Sequence, residues 1–203
     1  MKIINKLSTV LSSPAGYRLF SKLVGGDVWQ THLADHVKPM AGEKILDIGC
    51  GPADVLNHLP DCDYTGIDIS PAYIASAQKR FEGRGRFHCK GIGLATVEHE
   101  QGSFDLALAT GVLHHLDDET AGELFKLARV ALRPGGRLIT YDGCYISSQS
   151  KIARWLLRHD RGQFIRTQAE YVRLASAHFP KVESHLRHDL LRIPYTHLIM
   201  RCS

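Results

Sequence analysis

Two acidic residues and a pair of glycines carry the clearest chemical signal in the chain. Ile45-Leu46-Asp47-Ile48 is a short apolar run broken by one carboxylate, and it leads directly into Gly49-Cys50-Gly51-Pro52-Ala53-Asp54. Glycine behind a strand lets the backbone approach a ligand with no Cβ in the way. A helix opening there would turn free N–H groups and a positive dipole end toward that ligand. A plain tight turn needs the same residues, so the second half of the signal matters. Gly66-Ile67-Asp68 places a carboxylate at the end of the next apolar run, 19 residues beyond Gly49, where an acid accepts the hydroxyl protons of a ribose. Together these features point to a cofactor that contains adenosine.

Charge narrows the choice of cofactor. A dinucleotide brings a pyrophosphate to the glycine loop, and the G-x-G-x-x-G/A fingerprint ends on a small residue. Here that position is Asp54, and Asp47 borders the same loop, so two carboxylates would face a diphosphate against Coulomb repulsion. S-adenosylmethionine carries an ammonium and a sulfonium, one carboxylate and no phosphate, and Asp47 suits it. A phosphate-binding P-loop is excluded because no G-K-[ST] follows the glycines.

The elements that must hold these residues alternate along the chain. Candidate strands are Lys44 to Ile48, Asp63 to Ile67, Arg86 to Cys89, Phe104 to Ala109 and Arg137 to Tyr141. Ser70-Pro71 opens one helix with an N-cap and a proline at the first helical position. Asp117, Asp118 and Glu119 put acid in the first turn of another, whose apolar positions Ala121, Leu124, Phe125, Ala128 and Leu132 share a face before Pro134-Gly135-Gly136. Thr167-Gln168-Ala169-Glu170 is a capping box for a helix to about His178. Val182 to His188 and Tyr195 to Arg201 read as two final strands that form an antiparallel pair. Strand alternating with helix predicts an α/β, Rossmann-like sheet of seven mostly parallel strands with helices on both faces and an antiparallel final strand. Ligands then bind beyond the strands' carboxyl ends. A single domain is expected over 1–203: a helical cap (1–40), a cofactor-binding core (41–142), and acceptor-side helices with the final strands (143–203).

The ordered motifs resemble those of the class I S-adenosylmethionine-dependent methyltransferases, over about Ala41 to Asp142. Ile45 to Gly51 is similar to that family's first motif and Tyr64 to Ser70 to its second. Phe104-Asp105-Leu106-Ala107-Leu108-Ala109-Thr110-Gly111-Val112-Leu113-His114-His115-Leu116 and Leu132-Arg133-Pro134-Gly135-Gly136-Arg137-Leu138 complete the set. The resemblance implies that Asp47 holds the cofactor's ammonium, directly or through water, and that Gly49, Cys50 and Gly51 line its methionine and ribose part. It further implies that Asp68 clamps the ribose with Ile69 beside it, and that backbone around Thr110 and Gly111 lies along the methionine moiety. Ile92 stands where many relatives carry an acid toward the adenine amino group, which leaves adenine to backbone N–H groups and apolar packing. Ala53 occupies the third-glycine position, a minor change.

Methyl transfer is mainly alignment, and a hydroxyl acceptor adds the need for a general base. His114 and His115, after the fourth strand, are the candidates, set against one packed and one exposed histidine with no part in catalysis. Tyr17, Asp142, Arg161 and Arg166 are candidates for the acceptor side, set against core packing for Tyr17 and structural ion pairs for the others. His32 and His36 have the spacing of a helical metal pair but no third ligand nearby, so no metal is expected and a solvated face is the better reading. Six basic residues against two acidic ones between Lys151 and Arg173 make either a solvated face or a field that draws in an anionic substrate.

The acceptor is therefore read as a small molecule, an anionic one fitting the basic segment. No nucleic-acid partner is expected, because interleaved aromatics are lacking and Ala109-Thr110-Gly111-Val112 is not the [ND]-P-P-[YF] sequence associated with base methylation. Five scattered cysteines without a C-x-x-C pair argue against a disulfide framework or structural zinc, and no long apolar run or leader is seen. A cytoplasmic protein with no membrane partner, monomer or homodimer, is expected. A non-catalytic or regulatory S-adenosylmethionine-binding protein is the alternative function, since a fold and a pocket do not establish a reaction.

Overall fold

The structure is a computed structural model that describes residues 28–160 and 162–203. Tyr17 with most of the expected amino-terminal cap, and Arg161, lie outside the described residues. The described chain opens with α1 (Val28–His32) and a wide helical turn, Leu33–Val37, that Lys38 closes in the left-handed conformation. Five parallel strands follow: β1 (Lys44–Ile48), β2 (Asp63–Asp68), β3 (Arg86–Cys89), β4 (Phe104–Thr110) and β5 (Leu132–Tyr145). With β7 (Val182–Arg187) and β8 (His197–Cys202) they form one sheet in the order β3-β2-β1-β4-β5-β8-β7, and β8 runs antiparallel to both neighbours. An eighth strand of two residues, β6 (Arg166–Thr167), pairs with the end of β5. The chain steps outward from β1 to β3, then returns past β1 to β4, so the order reverses at β1. That switch point opens a crevice at the carboxyl ends of β1 and β4.

Strand periodicity sorts the core onto two faces. Leu46, Ile48, Ala107, Ala109 and Leu138 meet α3 (Asp118–Ala131) and α5 (Gln168–Ser176), while Ile45, Leu106, Leu108 and Ile139 meet the Leu33–Val37 turn and α2 (Pro71–Arg80). Asp47 falls on the second face, in register with Ile45. The helix starts are as the sequence predicts. Ser70 Oγ accepts from Tyr73 N with Pro71 at the first position, Asp117 Oδ1 accepts from Thr120 N at 2.8 Å, and Thr167 with Glu170 forms a capping box. α3 buries Leu124, Phe125 and Ala128 completely; truncation of such a leucine or phenylalanine to alanine costs about 2–5 kcal/mol.

Three local departures have clear causes. The glycine loop leads into a single tight turn, Asp54–Asn57, instead of a helix. Ala53 sits at φ +57, and Arg80 Nη1 binds both Pro52 O and Asp54 Oδ1 (2.8 and 2.6 Å), which fixes the turn by side-chain contacts. No helix N-terminus therefore faces the cofactor crevice at this loop. β5 starts earlier than expected: Phe104 pairs with Leu132 and Leu106 with Arg137, so Pro134-Gly135-Gly136 bulges out between two paired stretches, with Gly135 at φ +80. Finally, His32 is not on a solvated face. It is 2 % exposed beneath Tyr141, and His36 lies against Arg187 with Nε2 2.8 Å from Nη1. No cluster of three or more metal-ligating side chains occurs among the described residues.

Candidate functional site

Backbone geometry at the carboxyl end of β1 follows from its glycines. Gly49 N and Cys50 N both donate to Ile67 O (2.8 and 3.0 Å), so the chain leaves β1 still bonded to β2. Gly49 lies at φ +72, and a Cβ there would sit 2.5 Å from Val112 Cγ2. Gly51, at φ +54, faces open space. Its N–H donates to Asp68 Oδ2 (2.9 Å) and Ser70 N donates to Asp68 Oδ1 (2.8 Å). Two backbone donors thus aim the Asp68 carboxylate across the loop, and each oxygen keeps a second lone pair for an incoming hydroxyl.

Asp47 is buried behind the same loop, where Tyr64 Oη donates to its Oδ2 at 2.6 Å. Burial pushes its carboxyl up to about 7; the Tyr64 hydrogen bond pulls against that shift and the nearby Asp68 adds to it. Neither Asp47 nor Asp68 is ion-paired among the described residues. A pair of unpaired carboxylates beside an open glycine turn is a donor set for a cationic ligand with hydroxyls, and a poor one for a diphosphate. The residues fit the cofactor expected from the sequence. Ile69, next to Asp68, projects into solvent at 78 % exposure, and Ile92 is half-buried against the core. Cys50 is buried, and burial raises its thiol far above the ordinary range.

The neighbouring strand ends bring together two of the expected groups. Gly111, at φ +70, donates its N–H to Tyr141 O (2.7 Å), which ties the β4 exit to β5. A tight turn, Leu113–His115, then buries the His114 ring against Asp142 at the end of β5: Nδ1 lies 2.8 Å from Asp142 Oδ1, and His114 N donates to the same oxygen at 3.2 Å. Burial pulls the imidazole pKa down, but the hydrogen bond and charge of Asp142 outweigh it, and the ring is raised above its ordinary value. His114 Nε2 points the other way, 3.7 Å from Asp160 Oδ1. His115 is exposed, its ring centroid 4.1 Å from that of His114. The geometry joins the sequence candidates His114 and Asp142 and puts His115 outside the buried pair.

Arg166 takes up the structural ion pair that stood as its alternative reading. It is buried, with Nε and Nη2 on Asp118 Oδ1, Nη1 on Leu113 O and Phe164 O, and Nη2 on Leu116 O. The guanidinium holds the β4–α3 loop in shape, and no donor is left over for an acceptor.

Several residues of the site were not singled out from the sequence. Tyr64 carries Asp47, and Tyr195 Oη donates to Asp160 Oδ2 at 2.8 Å. His197 stacks on Tyr141 with centroids 4.4 Å apart, and burial lowers its pKa to about 3. Only period-2 alternation within β2 hints at Tyr64; the others meet partners far away in sequence.

Comparison with known proteins agrees with this geometry. A family model described as a methyltransferase domain matches residues 46–138. An uncharacterised protein of Synechococcus is 42% identical over 104 residues, 47% of this chain and 24% of that protein. An O-methyltransferase of Pyrenophora dematioidea is 32% identical over 132 residues, 60% of this chain and 48% of that protein. The chain spans less than half the length of these curated relatives. Among solved structures, phosphoethanolamine N-methyltransferase 2 of Haemonchus contortus in complex with S-adenosyl-L-methionine superposes with a TM-score of 0.66 at 17% identity, over 86% of this chain and 52% of that one.

Proposed function

Residues 46–138 are a methyltransferase domain of the class I, S-adenosylmethionine-dependent kind, and on that premise we propose that the chain methylates a small molecule bound beside His114. In this reading His114 is the general base and Asp142 the residue that orients it. The observation that carries it is the buried 2.8 Å contact between His114 Nδ1 and Asp142 Oδ1 at the carboxyl ends of β4 and β5. Next to it, Gly111 has a Cβ position only 3.8 Å from His114 Cε1, on the side where the cofactor's methionine end would run.

The bound cofactor supplies an electrophilic methyl on a sulfonium that leaves as a neutral thioether. The protein's own work is to hold and align. Asp47 takes the ammonium, Asp68 takes the ribose hydroxyls, and the Gly49–Gly51 turn gives backbone contact without side-chain interference. Alignment of this sort supplies up to about 7–11 kcal/mol of a bimolecular barrier. With Nδ1–H donating to Asp142, the Nε2 lone pair is free to take the proton of an acceptor hydroxyl as its oxygen bonds to the methyl carbon. Proton transfer of this kind contributes roughly 10²–10⁴-fold.

An anionic acceptor is the class best supported. A protein of the same fold has been solved in complex with phosphomonomethylethanolamine. The test is incubation of metabolite extracts with methyl-labelled S-adenosylmethionine, followed by mass spectrometry for a labelled product. With that product as acceptor, turnover should rise with pH through the raised pKa of His114. His114→Ala and Asp142→Asn should each lower kcat while S-adenosylhomocysteine affinity is kept. Unchanged turnover in both variants would leave alignment alone. No labelled product from broad pools would make the chain a cofactor-binding protein without catalysis.

A further inference from the structure

The helix that follows β5, α4 (Lys151–Arg158), presents an unusual face to solvent. Its inner side is anchored: Ser150 Oγ accepts from Ala153 N, Ala153 and Leu157 are buried, and Leu157 lies so close to Gly143 that a Cβ there would be 2.9 Å from Cδ2. Its outer side holds Ile152 at 61 % exposure and Trp155 at 54 %, one turn apart. Phe164, beyond the helix in sequence, is a third exposed apolar side chain at 39 %. These three are most of the five large apolar side chains exposed among the described residues, the others being Met40 and Ile69. Lys151 and Arg158 flank Trp155 on the same face at the spacing of neighbouring helix turns. Neither is ion-paired among the described residues, and no acid occurs from Lys151 to His159.

An apolar centre with a basic rim calls for a partner that is anionic outside and apolar beneath. We infer that this face of α4 docks on the surface of an anionic lipid bilayer, with Trp155 and Ile152 at the headgroup level and Lys151 and Arg158 on the lipid phosphates. Charge selects this occupant over the others. A second copy of α4 would bring like charge against like. The first 26 residues of the chain carry Lys2, Lys6, Arg18 and Lys22 with no acid, so they too would be repelled. A nucleic acid would pair with the bases of α4 but give Ile152 nothing to bury against. Tryptophan at a lipid–water boundary satisfies both ends of its ring, and a short amphipathic helix with basic flanks lies in that boundary without crossing it. No helix among the described residues is long and apolar enough to cross a membrane, and a surface contact needs none. The sequence expectation of no membrane partner rested on the lack of such a span.

The inference does not depend on which acceptor is methylated. The full chain is mixed with vesicles of phosphatidylcholine alone and of phosphatidylcholine with one quarter phosphatidylglycerol, and sedimented. It should pellet with the anionic vesicles at least ten-fold more than with the neutral ones, and less in high salt. In a Trp29→Phe background, Trp155 emission should shift to the blue on binding. The pairs Ile152→Ser with Trp155→Ser, and Lys151→Glu with Arg158→Glu, should each lower pelleting at least ten-fold. Thermal melting and S-adenosylhomocysteine affinity should stay at wild-type values, because all four side chains are exposed and none bonds to Asp47 or Asp68. Failure to pellet with either vesicle overturns the inference. Pelleting that survives both pairs places the contact elsewhere on the chain and overturns it equally, and tighter binding to a DNA duplex than to the vesicles makes the face a nucleic-acid contact instead.

Discussion

Asp47 ties cofactor binding to pH in a way that can be worked out in advance. Burial holds its carboxyl near 7 in the cofactor-free protein. An ammonium drawn to it would stabilise the charged form and return the pKa toward the ordinary value of about 4. Binding below pH 7 must then release a proton. Two pH units below the free value, about one site in a hundred starts ionised, a cost of about 2.7 kcal/mol at 1.36 kcal/mol per unit. S-adenosylhomocysteine, with the same amino-acid end, should therefore bind about 100-fold more weakly near pH 5 than near pH 7.5, and should release close to one proton at the lower pH by calorimetry in buffers of different ionisation enthalpy. At strongly alkaline pH the ligand's own ammonium loses its proton, and affinity should turn down again. Asp47→Asn should flatten the acid limb. The sign for stability follows from the same proton. The native state holds it more tightly than the unfolded chain, so the contribution is complete below about pH 4 and is lost as pH rises toward 7. A flat wild-type profile between pH 5 and 7, or an unchanged slope in Asp47→Asn, would refute the ion-pair assignment.

Other outcomes follow from the same structure. Asp68→Ala should weaken S-adenosylhomocysteine by about 1.5–3 kcal/mol, the range for hydrogen bonds to a charged group; it also frees Gly51 N and Ser70 N, so its melting point should fall as well. Gly49→Ala meets both a positive φ and Val112, and should cost about 2–5 kcal/mol by denaturant unfolding. Val112→Ala in the same chain should restore part of that loss, and no restoration would mean that the backbone alone is at fault. Arg137 is buried on Glu43 (2.7 Å) and on the carbonyls of Val37 and Lys38, so Glu43→Gln should destabilise by about 3–5 kcal/mol. A change below 1 kcal/mol would show that the pair is not what fixes the Leu33–Val37 turn to β5.

The features legible in the sequence are those whose signals are local in the chain. Ser70-Pro71, Asp117 and the Thr167–Glu170 box are signals that act within one helical turn, and each opens a helix where expected. Apolar runs located the strands, and the glycine turn and Asp68 were legible because their spacing follows one strand–crossover–strand unit. The misread features depend on contacts between distant residues. Only Arg80, folded back from α2, explains why the chain after Ala53 makes one tight turn. His32 and His36 have a helical spacing that says nothing of which side Tyr141 will cover. For Arg166 the sequence left an acceptor contact and a structural ion pair both open, because the carbonyls and carboxylate that decide between them lie some 50 residues away. His114 was identified as a candidate, yet its pairing with Asp142 needs β4 and β5 side by side.

The place of β8 between β5 and β7 has a consequence for how the molecule comes together in time. β7 precedes β8 along the chain but pairs with no other strand, so it has nothing to hold it until β8 has docked on β5. The parallel half, β3 to β5, can assemble beforehand, and it then carries β5 as a bare edge with open N–H and C=O groups. A half-sheet that formed first would present that edge to neighbouring chains, and S-adenosylhomocysteine added during refolding should raise the yield of folded protein.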